Sequence, residues 1–198
     1  MILGLDLATS TGFAHGGGET LPVVGALRLP STGDDVGAFL AAFRDWLSPL
    51  VVRLESIAAA EGRDLVVIFE APILPKPRWD PVKRKWAEST NLMTTRKLQS
   101  LAGVVELVCH DMVEAGRGVV CREAHLQTVK KELTGHGRAE KGDMVLAARR
   151  AGIDLSPGDE GQDEADAFGV WLLGIRYHAP EYQATWDRRV HGGGDRLV

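Results

Sequence analysis

The chain has 198 residues, 44% of them hydrophobic and 25% charged, with a formal net charge of −4, the profile of a single globular domain. No run approaches the ~18 apolar residues of a membrane span, and the opening MILGLDLATS has neither the basic start nor the cleavage site of a signal peptide. Cys109 and Cys121 have no C-x-x-C neighbour, which excludes a disulfide scaffold and a cysteine zinc knuckle and points to reduced thiols in the cytoplasm.

In chain order, ILGLDL (2–7) reads as a strand and TSTG as a turn. Short strands follow near Gly12–His15 and Val23–Leu29, an antiparallel meander punctuated by Gly16–Gly18. Asp34–Asp35 can cap a helix from Val36, with Phe39, Leu40, Phe43, Trp46 and Leu47 at helical spacing. Pro49 either kinks that helix or starts a second one, and Gly62 ends it. LVVIF (65–69) has the continuous apolar pattern of a strand buried on both faces. Four prolines from Pro72 to Pro81 forbid regular structure directly after it. A long helix is expected over about Ser89–Glu114, with Leu98, Leu101, Val104, Val105 and Val108 on its apolar stripe. A short strand GVVC (118–121) follows, then helices near His125–Leu133, Ala139–Arg150 and Asp163–Ile175. Residues 179–198 read as a flexible tail. The expected fold is α/β: a mixed sheet, an antiparallel three-strand meander plus parallel strands, with helices on both faces.

Four carboxylates stand where burial makes them costly. Asp6 interrupts an apolar strand, Glu70 ends the most hydrophobic strand, and Asp163 and Asp166 are three apart on one helix face. Singly, each has an ordinary role: Asp6 can cap the following turn, Glu70 a strand end, and Asp163 can be a helix N-cap. Together they want a shared cation, and all-oxygen ligation suits Mg²⁺ or Mn²⁺.

These segments, LGLDLATSTGFA, VVIFEAP and QDEADAFGVWLLG, resemble the RuvC family of Holliday junction resolvases, which have the ribonuclease H-like fold. TVKKELTGHGRAEKGDM (128–144) is similar to that family's Gly-rich signature. The resemblance covers about residues 2–177 and implies a nuclease domain over 1–178. It implies a metal-dependent endodeoxyribonuclease that cuts four-way junctions by paired nicks, leaving 5′-phosphate and 3′-hydroxyl ends. Asp6, Glu70, Asp163 and Asp166 would hold two Mg²⁺, with Mn²⁺ as a substitute, and Lys130 and Lys141 would act near the scissile phosphate. Lys131 is the alternative to Lys130 if the register slips by one. A homodimer follows from two symmetric nicks, with the apolar face of helix 89–114 as candidate interface. The long loop Pro72–Trp86 and Ile73, in place of an aromatic wedge, look more like phage-type members. Cytoplasmic location in a bacterial host follows from that likeness.

Charge patterning agrees with a nucleic-acid partner. Lys76–Lys97 carries seven basic residues against two acids, and Arg117–Arg150 carries eight against four. Trp79 and Trp86 interleave with Arg78, Lys83, Arg84 and Lys85, a composition suited to stacking on bases while the cations meet phosphates. Lys131 and Arg138 extend the expected DNA contact, and His136 is a further phosphate candidate in the signature loop. Glu106 is expected at a surface or a dimer edge. Thr9, Ser10 and Thr11 either bond phosphate or shape the turn. Rival readings are a sugar-kinase-like ATPase, disfavoured because 198 residues hold one lobe, a non-catalytic DNA-binding module, and a nuclease of flaps and forks.

Overall fold

The computed structural model describes residues 1–72 and 92–192 in full, and between them the backbone of strands 78–80 and 85–87. A five-stranded sheet has the order β3-β2-β1-β4-β7, with β1 Ile2–Asp6, β2 Ser10–Gly16, β3 Val23–Arg28, β4 Leu65–Glu70 and β7 Val119–Ala124. The first three strands form the antiparallel meander, and β4 and β7 join parallel to β1. This is the expected mixed sheet. A two-stranded ribbon, β5 Arg78–Asp80 with β6 Lys85–Ala87, lies in the proline-rich segment, so regular structure resumes sooner than the prolines suggest.

Alternation along the strands sorts the two faces. Leu3, Leu5, Val67 and Phe69 join one core cluster, while Ile2, Val66 and Ile68 join the other. The first face is covered by α1 (Val36–Ala60) and α2 (Leu92–Glu114). Helix α1 buries Phe39, Phe43, Leu47, Val51, Leu54 and Ala58, a stripe three or four residues apart, against the sheet. It runs unbroken through Pro49, so no second helix starts there, and it ends where Gly62 takes φ +69°. The apolar stripe of α2 packs on α1 and β7 within the chain.

The other face carries α5 (Asp159–His178), flanked by α3 (Leu126–Thr134), α4 (Lys141–Arg150) and α6 (Gln183–His191). Helix α5 is buried nearly all round, as an apolar helix between a sheet and other helices must be. It begins at Asp159, four residues before its expected start, because the buried Glu164 carboxylate accepts bonds from the Ser156 backbone N–H (2.7 Å) and hydroxyl (2.8 Å), holding the lead-in turn.

The tail differs from expectation. Residues 180–182 form a 3-10 turn and α6 follows, with Trp186 2% exposed. The Trp186 indole donates to the Gly18 carbonyl (2.8 Å) and meets Trp171 edge-on at 4.9 Å. Arg176 binds Glu132 of α3 (2.5 Å) and Asp187 of α6 (3.5 Å). A polar, glycine-rich composition concealed this anchor, because one tryptophan supplies most of the burial. Among the described residues no helix is long and apolar enough to cross a membrane.

Candidate active site

Strand register brings the first two carboxylates together. Leu5 pairs with Phe69 across the parallel β1–β4 ladder, so the next step sets Asp6 opposite Glu70, with Cα atoms about 4.8 Å apart. Both belong to the even-numbered set that faces α5, with Ile2, Val66 and Ile68. On the other side, Asp6 pairs with Gly12 of β2. Above Gly12 lies the backbone of Asp163, close enough that a Cβ at position 12 would fall 2.0 Å from its carbonyl oxygen. Gly4 similarly lets the Trp171 backbone lie against β1. These glycines form a trough that seats α5 on the sheet and carries Asp163, with Asp166 one turn further on.

The electrostatics register this convergence. Burial holds the Asp6 carboxyl well above the usual carboxylate range, with the charges of Glu70, Asp166 and Asp163 adding and Lys141 opposing. Glu70 is pushed up to about 7, by burial first and the Asp166 charge second, against Lys130. Asp166 is raised by burial, with Lys141 and Lys130 opposing and Asp163 adding. Four carboxylates and two lysines therefore share one field at the C-terminal ends of β1 and β4.

The lysines arrive from α3 and α4. Lys130 donates to the Ala139 carbonyl at 2.7 Å, closing the loop between these helices, and Gly135 turns it at φ +84°. Lys141 is the first residue of α4. A reciprocal capping box fixes that terminus: Glu140 accepts from the Asp143 backbone, and Asp143 accepts from the Glu140 N–H at 2.9 Å. Lys130, not Lys131, is the lysine coupled to Glu70 and Asp166, and Lys131 is exposed.

Other candidates fall elsewhere. Thr11 is buried and its hydroxyl donates to the Ala8 carbonyl (2.8 Å), so it shapes the turn. His136 is exposed, its backbone bonded to Thr134. Arg138 is exposed on the same loop, and Glu106 is exposed on α2. Lys83 and Arg84 lie outside the described residues, as do Ile73 and the side chains of Arg78, Trp79, Lys85 and Trp86. Sequence reasoning missed Gly12, whose signal was a glycine inside a strand pattern, and Glu164, one of six acids between Asp154 and Asp166 with no basic residue among them.

As the side chains stand, no group of three or more His, Cys, Asp or Glu among the described residues is drawn closely enough together to hold a metal ion. The donor chemistry still fits a hard divalent cation. Four carboxylates are opposed by only two ammonium groups, the proton affinities of Asp6, Glu70 and Asp166 are raised, and all their ligand atoms are oxygen.

A mixed sheet in the order 3-2-1-4-7 with helices on both faces defines the ribonuclease H-like class. Within it, the chain has a RuvC-like fold. It is similar to the structure of Thermus thermophilus RuvC, with TM-score 0.53 and 17% identity over 91% of this chain and 96% of that chain. It is equally similar to T. thermophilus RuvC in complex with Holliday junction substrate, with TM-score 0.52 and 17% identity over 93% and 96%. No protein-family model and no curated protein sequence matches the chain.

Proposed function

We propose that the chain is a divalent-metal-dependent endodeoxyribonuclease that resolves four-way DNA junctions by paired nicks, leaving 5′-phosphate and 3′-hydroxyl ends. The observation that carries this reading is the shared field of Asp6, Glu70, Asp163 and Asp166, drawn from three elements, with Lys130 and Lys141 as the opposing charges. A scaffold that only bound DNA would gain nothing from four acids beside a polyanion.

In this reading the four carboxylates would hold two Mg²⁺, and Asp6 feels the charges of all three other acids. When bound, such a pair lowers the pKa of water, neutralises charge at phosphorus and stabilises the leaving oxygen. Glu70, pushed up to about 7, would have to give up its proton to serve as a ligand. Lys141, fixed at a capped helix start, offsets negative charge developing on the phosphate. Lys130, fixed on the Ala139 carbonyl, positions the loop that carries Arg138 and Lys141 toward DNA. Lys131 and Arg138 meet the backbone, as do Arg78, Lys83, Arg84 and Lys85, with Trp79 and Trp86 stacking on bases.

Two symmetric nicks call for a two-fold pair of chains. The proposed contact is the outer surface of α1 and α2. There, an apolar groove of about 420 Å³ runs past Leu40, Val104 and Leu107, and Val52 (40%) and Leu107 (54%) are exposed. Action on chromosomal or phage DNA places the protein in the bacterial cytoplasm. The net +5 stretch Lys76–Lys97, which runs from the loop after β4 into α2, favours a second reading, cleavage of flaps and forks with little junction preference.

Purified protein in magnesium, presented with junction, flap, fork and linear duplex of one sequence, tests both. Paired nicking of the junction alone supports the resolvase. Equal cutting of all branched substrates supports the second reading, and equal cutting of duplex and junction sinks the first. No cutting of any substrate, with binding retained, would leave the non-catalytic module.

A further inference from the structure

We infer that the cavity at the C-terminal end of β3, lined by Arg28, Lys97, Thr9, Ser10, Ser31 and Phe39, binds a backbone phosphate of the strand whose neighbouring phosphate enters the candidate active site. It has a volume of about 330 Å³. The inference rests on reading the chain as a DNA-cleaving enzyme and adds a place where the strand is held away from the carboxylates.

Three observations meet here. The first is uncompensated positive charge. Arg28 is exposed and has no ion-pair partner among the described residues, and no acidic side chain lines the cavity. Lys97 donates to the Gly33 carbonyl at 2.9 Å and lies 4.9 Å from the centre of the buried Phe39 ring. Its ammonium is thus held in place with donors to spare. Two cations lining one recess repel unless an anion lies between them.

The second is the set of hydroxyls. Neighbouring Thr11 and Thr32 spend theirs on the Ala8 and Asp35 carbonyls. The hydroxyls of Thr9, Ser10 and Ser31 make no hydrogen bond among the described residues. A recess with guanidinium, ammonium and free hydroxyl donors matches a phosphodiester, which offers only acceptors.

The third is position. Ser10 and Arg28 are direct partners across the β2–β3 ladder, and the Leu29 N–H donates to the Thr9 carbonyl at 2.9 Å, pinning β3 to the turn. Asp6, Gly12 and Ala26 form one row across three strands, and Arg28 lies two residues beyond that row. Strand spacings put the Cα atoms of Asp6 and Arg28 about 12 Å apart. The recess and the carboxylates therefore open at the same end of the sheet, a few nucleotides of extended strand apart.

The test measures junction binding in EDTA, where no cleavage intervenes. Single methylphosphonate linkages are stepped outward from the cut position, for wild type and for Arg28→Gln/Lys97→Met. The methionine keeps an apolar stem over Phe39, and melting temperatures report that both proteins are folded. The variant should bind roughly tenfold more weakly at moderate salt, with the slope of log affinity against log salt reduced by about one. One neutral linkage within a few nucleotides of the cut should weaken wild type by the same factor and leave the variant unchanged. If that linkage weakens both proteins equally, or the variant binds like wild type, the inference is overturned while the nuclease reading stands. If wild type binds no DNA, both fall. A wild-type melting temperature raised by inorganic phosphate, absent in the variant and with junction affinity equal in both, would assign the recess to a free anion and overturn the DNA assignment.

Discussion

The Asp163 carbonyl fits into the space that Gly12 leaves by having no side chain: a Cβ there would lie 2.0 Å from that oxygen, where real contacts need at least 3 Å. Because Gly12 pairs with Asp6, this contact sets how far the helix acids stand from the strand acids. Gly12→Ala forces two backbones apart and shifts the first half of α5. The expected outcome is a loss of about 2–4 kcal/mol in stability, in the range of overpacked or strained cores, and at least ~100-fold slower cleavage, since ångström misplacement costs that much. Gly103→Ala, in an α2 position with open space around it, should instead stabilise by up to ~1 kcal/mol. Urea unfolding and single-turnover cleavage of the two variants check the contrast.

The raised carboxyls of Asp6, Glu70 and Asp166 make a pH prediction for the metal-free protein. Their folded values lie above the unfolded ones, so the folded state holds the extra protons. The stability they contribute is fully present below the ordinary carboxylate range and is lost as pH rises, for Glu70 between 4.5 and about 7. The Glu70 share is about 3 kcal/mol. Melting temperature in EDTA should therefore fall from pH 5 to pH 8. Asp6→Asn removes the charge that all three other acids repel and should melt higher than wild type at pH 8. Magnesium should restore wild type by mass action and leave Asp6→Asn nearly unmoved, with its cleavage abolished and its junction binding kept. A metal-free wild type that gains stability toward pH 8 would contradict the clustering.

Much of this arrangement was legible in the chain because it is carried by local patterns. The meander announced itself through glycine turns and alternation, β4 through LVVIF, and the acid positions through their misfit with apolar surroundings. What stayed hidden was set by contacts between distant segments. The true start of α5 depends on Glu164 reaching back to Ser156, and an acidic run gives no sign of which member turns inward. The apolar stripe of α2 is equally good at covering a sheet or a partner chain, and packing on α1 and β7 took it.

Trp186 shows the same principle at the C-terminus. It closes a cluster with Trp171 at 4.9 Å and Phe168 at 5.8 Å, and its indole satisfies the Gly18 carbonyl. Trp186→Ala should cost about 3–5 kcal/mol, as for other buried aromatics. Because α6 packs on α4 and α3, which carry Lys141 and Lys130, removal of residues 183–198 should also slow cleavage. Thermal melting of the point variant and cleavage by the truncated chain are the measurements. A truncated chain as stable as the full one would restore the reading of this segment as a loose tail.

Lys130 and Lys141 share one electrostatic task and differ in structural attachment. Lys130 holds the Ala139 carbonyl at 2.7 Å, so Lys130→Ala frees the loop that leads into α4 as well as removing charge. It should lower stability by about 1 kcal/mol and slow cleavage. Lys141 is exposed and makes no hydrogen bond through its ammonium among the described residues, so Lys141→Ala should leave stability within ~0.5 kcal/mol of wild type. Its loss takes away an opposing charge from Asp6 and Asp166, which raises their proton affinity further and demands higher pH for the site to load. Single-turnover cleavage by Lys141→Ala should fall about 100-fold, the scale of removing one preorganised electrostatic contact. The pH at which half the limiting rate is reached should also move upward. A variant with the wild-type rate and pH profile would show that Lys141 is only a solvated lysine at a helix start.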